Sequence, residues 1–163
     1  MHELFIQLGS NMGNRLDILQ KALQSMQQYF GEPLKISGIY ESQAWGKTDQ
    51  QHFLNQVVSF FTNWPPEKIL SLLKEIEREA GRTKTDKWGP RVIDLDILFY
   101  GNLVFYSSML QIPHPQTPAR AFTLIPLLEI APDKVHPLLN QSILQIHAGS
   151  KDPLWVKLAN IAP

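Results

Sequence analysis

The sequence contains no cysteine, which rules out disulfides and thiolate-bound metals and suits a reducing compartment. It has no excess of either charge, because fifteen Lys and Arg balance fifteen Asp and Glu. A chain without net positive charge has little general attraction for a phosphate backbone, so no nucleic-acid partner is expected. It also lacks any run of about 18 apolar residues, so no membrane span or membrane partner is expected. The apolar stretch that starts at Leu4 breaks at Gln7, too early for the core of a signal peptide, and a cytoplasmic location is expected. The five histidines show no metal-ligand spacing, which argues against zinc.

What is present is the makeup of a soluble globular protein, with 163 residues, 44% of them hydrophobic and 18% charged. That length is enough for one domain, residues 1–163, to bury roughly 70% of its unfolded surface. Leu4 to Leu8 reads as a buried strand closed by Gly9-Ser10-Asn11, a turn that either cradles a ligand with backbone N–H groups or simply connects. Asn14 then caps a helix whose Leu16, Leu19, Leu23, Met26 and Phe30 recur at helical spacing up to Gly31. Lys35 to Tyr40 and His52 to Phe61 read as two strands. Pro65-Pro66 opens a second helix, with Ile69, Leu72, Leu73, Ile76 and Ala80 as its buried stripe and Gly81 as its stop. Ahead of Tyr100 lies a further strand. The order strand, helix, strand, strand, helix, strand is the split βαβ pattern of ferredoxin-like domains. Beyond Gly101 six of the twelve prolines fall between Pro113 and Pro137, leaving two short strands (Leu103 to Phe105, Leu110 to Ile112) and a short helix near Phe122 to Ile130. The expected class is α+β, a ferredoxin-like βαββαβ core with a C-terminal extension of short strands and a short helix.

The most informative stretch runs from Arg82 to Tyr100. In a strand Asp94 and Asp96 share one face while Ile93, Leu95, Ile97 and Phe99 line the other. Two carboxylates roughly 6.5 Å apart repel unless a cation lies between them, and a pair of Mg2+ ions carrying phosphate oxygens would supply that charge. Arg82 and Arg91 flank the pair and suit bidentate phosphate recognition. The alternative is a half-exposed strand with a solvated polar face. Gly46-Lys47-Thr48 is not the end of a P-loop, since that motif needs glycine where Glu41 stands. Phe53 and Asn55, two apart on one strand, present either an aromatic plate beside an amide or a core ring with a polar neighbour.

The ordered set Lys87, Gly89, Pro90, Arg91, Asp94, Leu95 and Asp96 resembles the signature of 6-hydroxymethyl-7,8-dihydropterin pyrophosphokinases. Further matches run from Gly9-Ser10-Asn11 through Phe53, Asn55, Glu77, Arg82 and His114 to Arg120-Ala121-Phe122. The resemblance implies transfer of pyrophosphate from ATP to a pterin alcohol in folate biosynthesis, with two Mg2+ ions held by Asp94 and Asp96. It implies catalytic roles for Arg82 and Arg91. ATP would be met by Leu70, Lys74, Glu77, Arg82, Lys84, Trp88, Arg91, Ile97, His114 and Arg120, and the pterin by Ser42, Ala44, Trp45, Phe53, Asn55 and Phe122. A monomer is expected, with the basic segment from Arg82 to Pro90 closing over the phosphates. Phe53 stands where many members have tyrosine, Pro115 where a tyrosine often follows the histidine, and Thr85 where a second basic residue is usual. A non-catalytic ferredoxin-like module for a small ligand or RNA is the competing reading.

Overall fold

The strand β1 (His2–Ser10) is buried at every position from Leu4 onward, as a strand covered on both faces must be. It is central in the antiparallel sheet of a computed structural model, which describes residues 1–47, 49–83 and 87–161. On one side β1 pairs with β4 (Phe53–Thr62) and on the other with β5 (Asp94–Tyr100). Between them in sequence come α1 (Arg15–Phe30), β2 (Lys35–Ile36), β3 (Tyr40–Ser42) and, after β4, α2 (Pro66–Glu79). After β5 follow the hairpin β6 (Phe105–Tyr106) and β7 (Gln111–Ile112), a single 3-10 turn at Thr117–Ala119, α3 (Ala121–Ile130), α4 (Ile143–Ala148) and β8 (Val156–Leu158). The strand order β5-β1-β4-β3-β8, with β2 also on β4, is the ferredoxin-like arrangement with one strand added at the edge.

Alternation along β1 divides the core in two. Leu4, Ile6 and Leu8 pack against Leu19 and Met26 of α1 and Leu73 and Ile76 of α2. Phe5 turns the other way and, with Val57 and Phe99, packs against Leu124 and Leu127 of α3 and Ile143 of α4. Asn14 caps α1 by accepting from the Asp17 N–H, as its position predicts.

Three expectations are corrected. Phe99 does not share the face of Ile93, Leu95 and Ile97, because a bulge opposite Phe5 and Ile6 shifts the register after Ile97 and turns Phe99 edge-on to Phe5. The strand expected over Lys35 to Tyr40 is broken at 37–39, where the Gly38 N–H turns aside to the Glu129 carboxylate of α3 at 3.0 Å. Tyr40 donates to the same carboxylate at 2.6 Å, and burial followed by that acid pushes its phenol up to about 12. The extension also holds more structure than the prolines suggest. Ser142 and Gln145 form a reciprocal capping box for α4, and β8 pairs antiparallel with β3.

Candidate active site

The end of the sheet where β1 gives way to Asn11 carries an open cleft of about 160 Å³. Its floor is the face of β1 and β5 that bears Gln7, Gly9, Asp94 and Asp96. Asp94 is held from two sides, accepting from Arg82 Nη1 at 2.9 Å and from Arg91 Nη1 at 2.6 Å. The positive charge that the paired aspartates require is thus supplied here by arginines. Asp96 has no such partner among the described residues. Burial and the neighbouring Asp94 carboxylate push its carboxyl up to about 7, against the pull of Arg120. His114 Nε2 stands 3.9 Å from Asp96, too far for a hydrogen bond. The ring of His114 is kept neutral by burial and by Arg120, which bring its pKa down to about 4, and its Nδ1 accepts from the Gln116 N–H.

At the other end of the cleft lie Phe53, Asn55, Trp45 and Phe122. Asn55 is 2% exposed, and both of its hydrogen bonds use the amide nitrogen, to Ser42 Oγ at 2.8 Å and Tyr40 O at 3.4 Å. Its side-chain oxygen has no hydrogen bond among the described residues. Arg120 joins the two ends. Its guanidinium lies 4.8 Å from the Trp45 ring, 5.4 Å from Trp88 and 5.5 Å from Phe122, and its Nε is buried with no partner among the described residues. The guanidinium is thus held among three rings, with Asp96 and Asp94 near enough to favour its charged form.

The loops over the cleft are fastened by one buried amide. Asn11 donates to Gln50 Oε1 and to the Gln51 carbonyl, both at 3.0 Å, and accepts from the Arg91 N–H at 2.7 Å. The Asn11 side chain thus clasps the flanking loops where β1 ends. Gln50 in turn donates to the Trp88 carbonyl at 2.6 Å, holding that residue at a φ of 65°. Trp88 stacks edge-on against Trp45, 4.7 Å between centroids, directly over Gly46, where an added Cβ would come within 2.9 Å of its ring.

Six of the expected site residues stand outside the cleft lining. Glu77 is 2% exposed behind β5, accepting from the Leu95 N–H at 2.8 Å and paired with Arg82 and Lys74. Leu70 and Lys74 lie on α2, Ile97 is in the core, Ala44 is buried, and Arg82 reaches the site through Asp94. Lys84 lies outside the described residues, as does Thr85.

The family model for 7,8-dihydro-6-hydroxymethylpterin-pyrophosphokinase matches residues 5–132. The chain belongs to that family. The 2-amino-4-hydroxy-6-hydroxymethyldihydropteridine pyrophosphokinase of Aquifex aeolicus is 41% identical over 88% of this chain and 89% of its own length. Its Synechocystis counterpart is 40% identical over 89% and 74%. A folic acid synthesis protein of Pneumocystis carinii is 44% identical over 86% of this chain, which spans only 19% of that protein. Among solved structures, the HPPK-DHPS of Plasmodium falciparum with pteroate superposes with a TM-score of 0.71 at 15% identity, over 90% of this chain and 42% of the other. At that identity the likeness speaks for the fold, and the pyrophosphokinase fold is the ferredoxin-like one described above.

Within this pyrophosphokinase chain, Gln7 is the cleft residue that the sequence reading missed. The signal was an amide interrupting an apolar strand. It is 4% exposed, accepts from Thr123 Oγ1 at 2.7 Å and donates to the Phe122 carbonyl at 3.3 Å.

Proposed function

We propose that this chain transfers the pyrophosphoryl group of ATP to the hydroxyl of 6-hydroxymethyl-7,8-dihydropterin, giving AMP and the pterin diphosphate for folate synthesis. The observation that carries the assignment of ends is the polarity of the cleft. One end gathers two aspartates, with Arg82 and Arg91 on Asp94, and the other is aromatic with the Asn55 amide. Polyphosphate belongs at the first and a flat heterocycle at the second.

Phe53 and Phe122 would enclose the pterin, excluding water, while the Asn55 side-chain oxygen accepts from a ring N–H and so selects orientation. Arg120, between the two ends, would meet the phosphate nearest the pterin. The hydroxyl oxygen bonds to the β-phosphorus as the bond from that phosphorus to the bridging oxygen breaks. AMP departs with the electron pair and one proton is released. Arg82 and Arg91 would balance the charge that moves onto the leaving oxygen.

Asp94 and Asp96 fit hard divalent cations, because two acidic groups share one face and Asp96 is pushed toward its neutral form by burial and then by Asp94, a shift that a bound cation would reverse. Among the described residues no cluster of three or more His, Asp or Glu could hold a metal by itself, so phosphate oxygens would complete the coordination. Mg2+, two ions in our reading, would neutralise the phosphates and hold them in line. The remaining assignments implied by family membership, Leu70, Lys74, Glu77, Lys84, Ile97 and His114 toward the nucleotide and Ser42, Ala44 and Trp45 toward the pterin, we keep as part of the proposal. We also read residues 1–163 as one domain acting as a monomer in the cytoplasm, without a nucleic-acid or membrane partner; the pairing of β1, β4 and β5 in one sheet supports the single domain. No helix among the described residues is long and apolar enough to cross a membrane.

The deciding experiment identifies the nucleotide product after incubation with ATP, Mg2+ and the pterin alcohol. AMP in step with pterin diphosphate is expected. ADP would mean γ-phosphoryl transfer, and unchanged ATP would mean a binding module.

A further inference from the structure

The first turn of α3 carries two residues into the cleft, Arg120 just before it and Phe122 within it. Its backbone makes the ordinary helical bonds, the Thr123 and Leu124 N–H groups donating to the Arg120 carbonyl at 3.0 Å, but no neighbouring side chain caps it. Arg120 occupies the N-cap position and makes no capping bond with its side chain, and the two residues that hold the turn are far away in sequence. From below, Gln7 of β1 accepts from Thr123 Oγ1 and donates to the Phe122 carbonyl. From the C-terminal segment, Asp152 Oδ2 accepts from the Ala121 N–H at 2.9 Å, supplying the cap that Arg120 does not.

Asp152 is itself well placed to set a distance. Its Oδ1 accepts from the Leu154 N–H at 3.0 Å, and the next residue, Trp155, exchanges two hydrogen bonds with Gln43. Val156 then pairs with Ser42, whose hydroxyl accepts from Asn55. Residues 152–156 therefore run from the turn that bears Phe122 to the strand that orients Asn55. This strap lies beyond residue 132, where the family match ends. Gln7 is equally specific in its placement. It sits on the cleft face of β1 between Val57 and Asp96, and its buried amide is met by α3 alone among the hydrogen bonds described.

The rest of α3 has other anchors. Leu124 and Leu127 are in the core, and Glu129 clamps the break between β2 and β3. Loss of Gln7 or Asp152 would thus loosen the turn without detaching the helix. We propose that Gln7 and Asp152 are positioning residues for the heterocyclic substrate, setting the height and tilt of the Phe122 ring over the sheet. The inference rests on the reading of Phe53, Asn55 and Phe122 as the pterin end.

The test measures equilibrium binding of the pterin and of ATP with Mg2+ separately, by calorimetry, for Gln7→Leu, Asp152→Ala, Asp152→Asn and Thr123→Val, with thermal unfolding followed in parallel. Asp152→Ala and Gln7→Leu should each weaken pterin binding about tenfold while leaving ATP within about twofold. Asp152→Asn keeps an oxygen that can accept from Ala121 and should recover most of the loss. Thr123→Val should reproduce part of the Gln7→Leu effect, and it carries the Gln7 half if that variant fails to fold. Folded variants with unchanged pterin affinity, or with equal losses for both ligands, overturn the proposal. Phe122→Ala serves as the reference. If it is selective for the pterin while Gln7→Leu and Asp152→Ala are silent, only the positioning roles fall; if it weakens both ligands alike, the pterin-end assignment fails and this proposal with it.

Discussion

At the scale of single residues, the two aspartates divide their work according to what already surrounds them. Asp94 is saturated by Arg82 and Arg91, whereas Asp96 stands nearly alone and close to neutral. Asp96→Asn preserves shape and the neutral state, so the protein should keep its thermal stability while turnover with Mg2+ and ATP drops about a hundredfold or more. Steady-state rates beside a melting curve check this, and near-normal turnover in a folded variant would remove Asp96 from the metal site. Phe122→Ala should weaken pterin binding about tenfold or more and ATP binding far less, as calorimetry of each ligand would report. The aspartates and the Phe53/Asn55 pair were legible because period-two alternation puts residues two apart on one face without knowledge of anything distant. Arg120 and Gln7 were not legible in that way. Their meaning comes from rings and a helix turn contributed by segments far away in sequence, and Arg120 was reachable only through family resemblance.

At the scale of elements, the sequence was most readable where one pattern ran long. The stripes of α1 and α2 and the Asn14 cap fell as expected, while β5 departs from strict alternation after Ile97 because the bulge against β1 depends on pairing that no local pattern encodes. The Lys35 to Tyr40 strand was overextended for a similar reason, since Glu129, some ninety residues away, captures the Gly38 N–H. Short α4 escaped periodicity and shows itself only in its capping box. Just before it, His136 is 4% exposed, with Nδ1 accepting from the Leu138 and Leu139 N–H groups and its ring edge-on to Phe99. Burial, with Lys134 adding to it, holds its pKa below the ordinary value of about 6.5. The unfolded chain therefore takes up a proton at this position before the folded one does, so this contribution to stability is present above about pH 6.5 and is lost as pH falls below it. His136→Leu should flatten that part of the profile, and at neutral pH it should cost about 2 kcal/mol for the lost acceptor and ring contact. Denaturant unfolding at a series of pH values would show a slope unchanged from wild type if His136 has no part in it.

At the scale of the whole molecule, loops from both sides of the sheet meet over the cleft through Asn11, Gln50 and the Trp45–Trp88 contact. Trp88 fluorescence, read in a variant retaining only that tryptophan, should therefore change when ATP and Mg2+ bind, and again with the pterin. A signal indifferent to both ligands would detach this loop from the reaction. Sedimentation at micromolar concentration should give the mass of a single chain. The arrangement at Asp94 has a further consequence for how the cleft greets a nucleotide. Arg82 and Arg91 are not idle cations awaiting phosphate, for each already has an anion in hand. A nucleotide that recruits them exchanges one counter-ion for another, much as a solute displaces a resident ion from a resin, and the number of ion pairs scarcely changes. Affinity for metal-free ATP should consequently vary less with ionic strength than two arginines would suggest. In Asp94→Asn, where Arg91 loses its resident anion and Arg82 keeps only Glu77, the same nucleotide in the presence of a chelator should bind more tightly at low salt and lose more of that affinity as salt is raised.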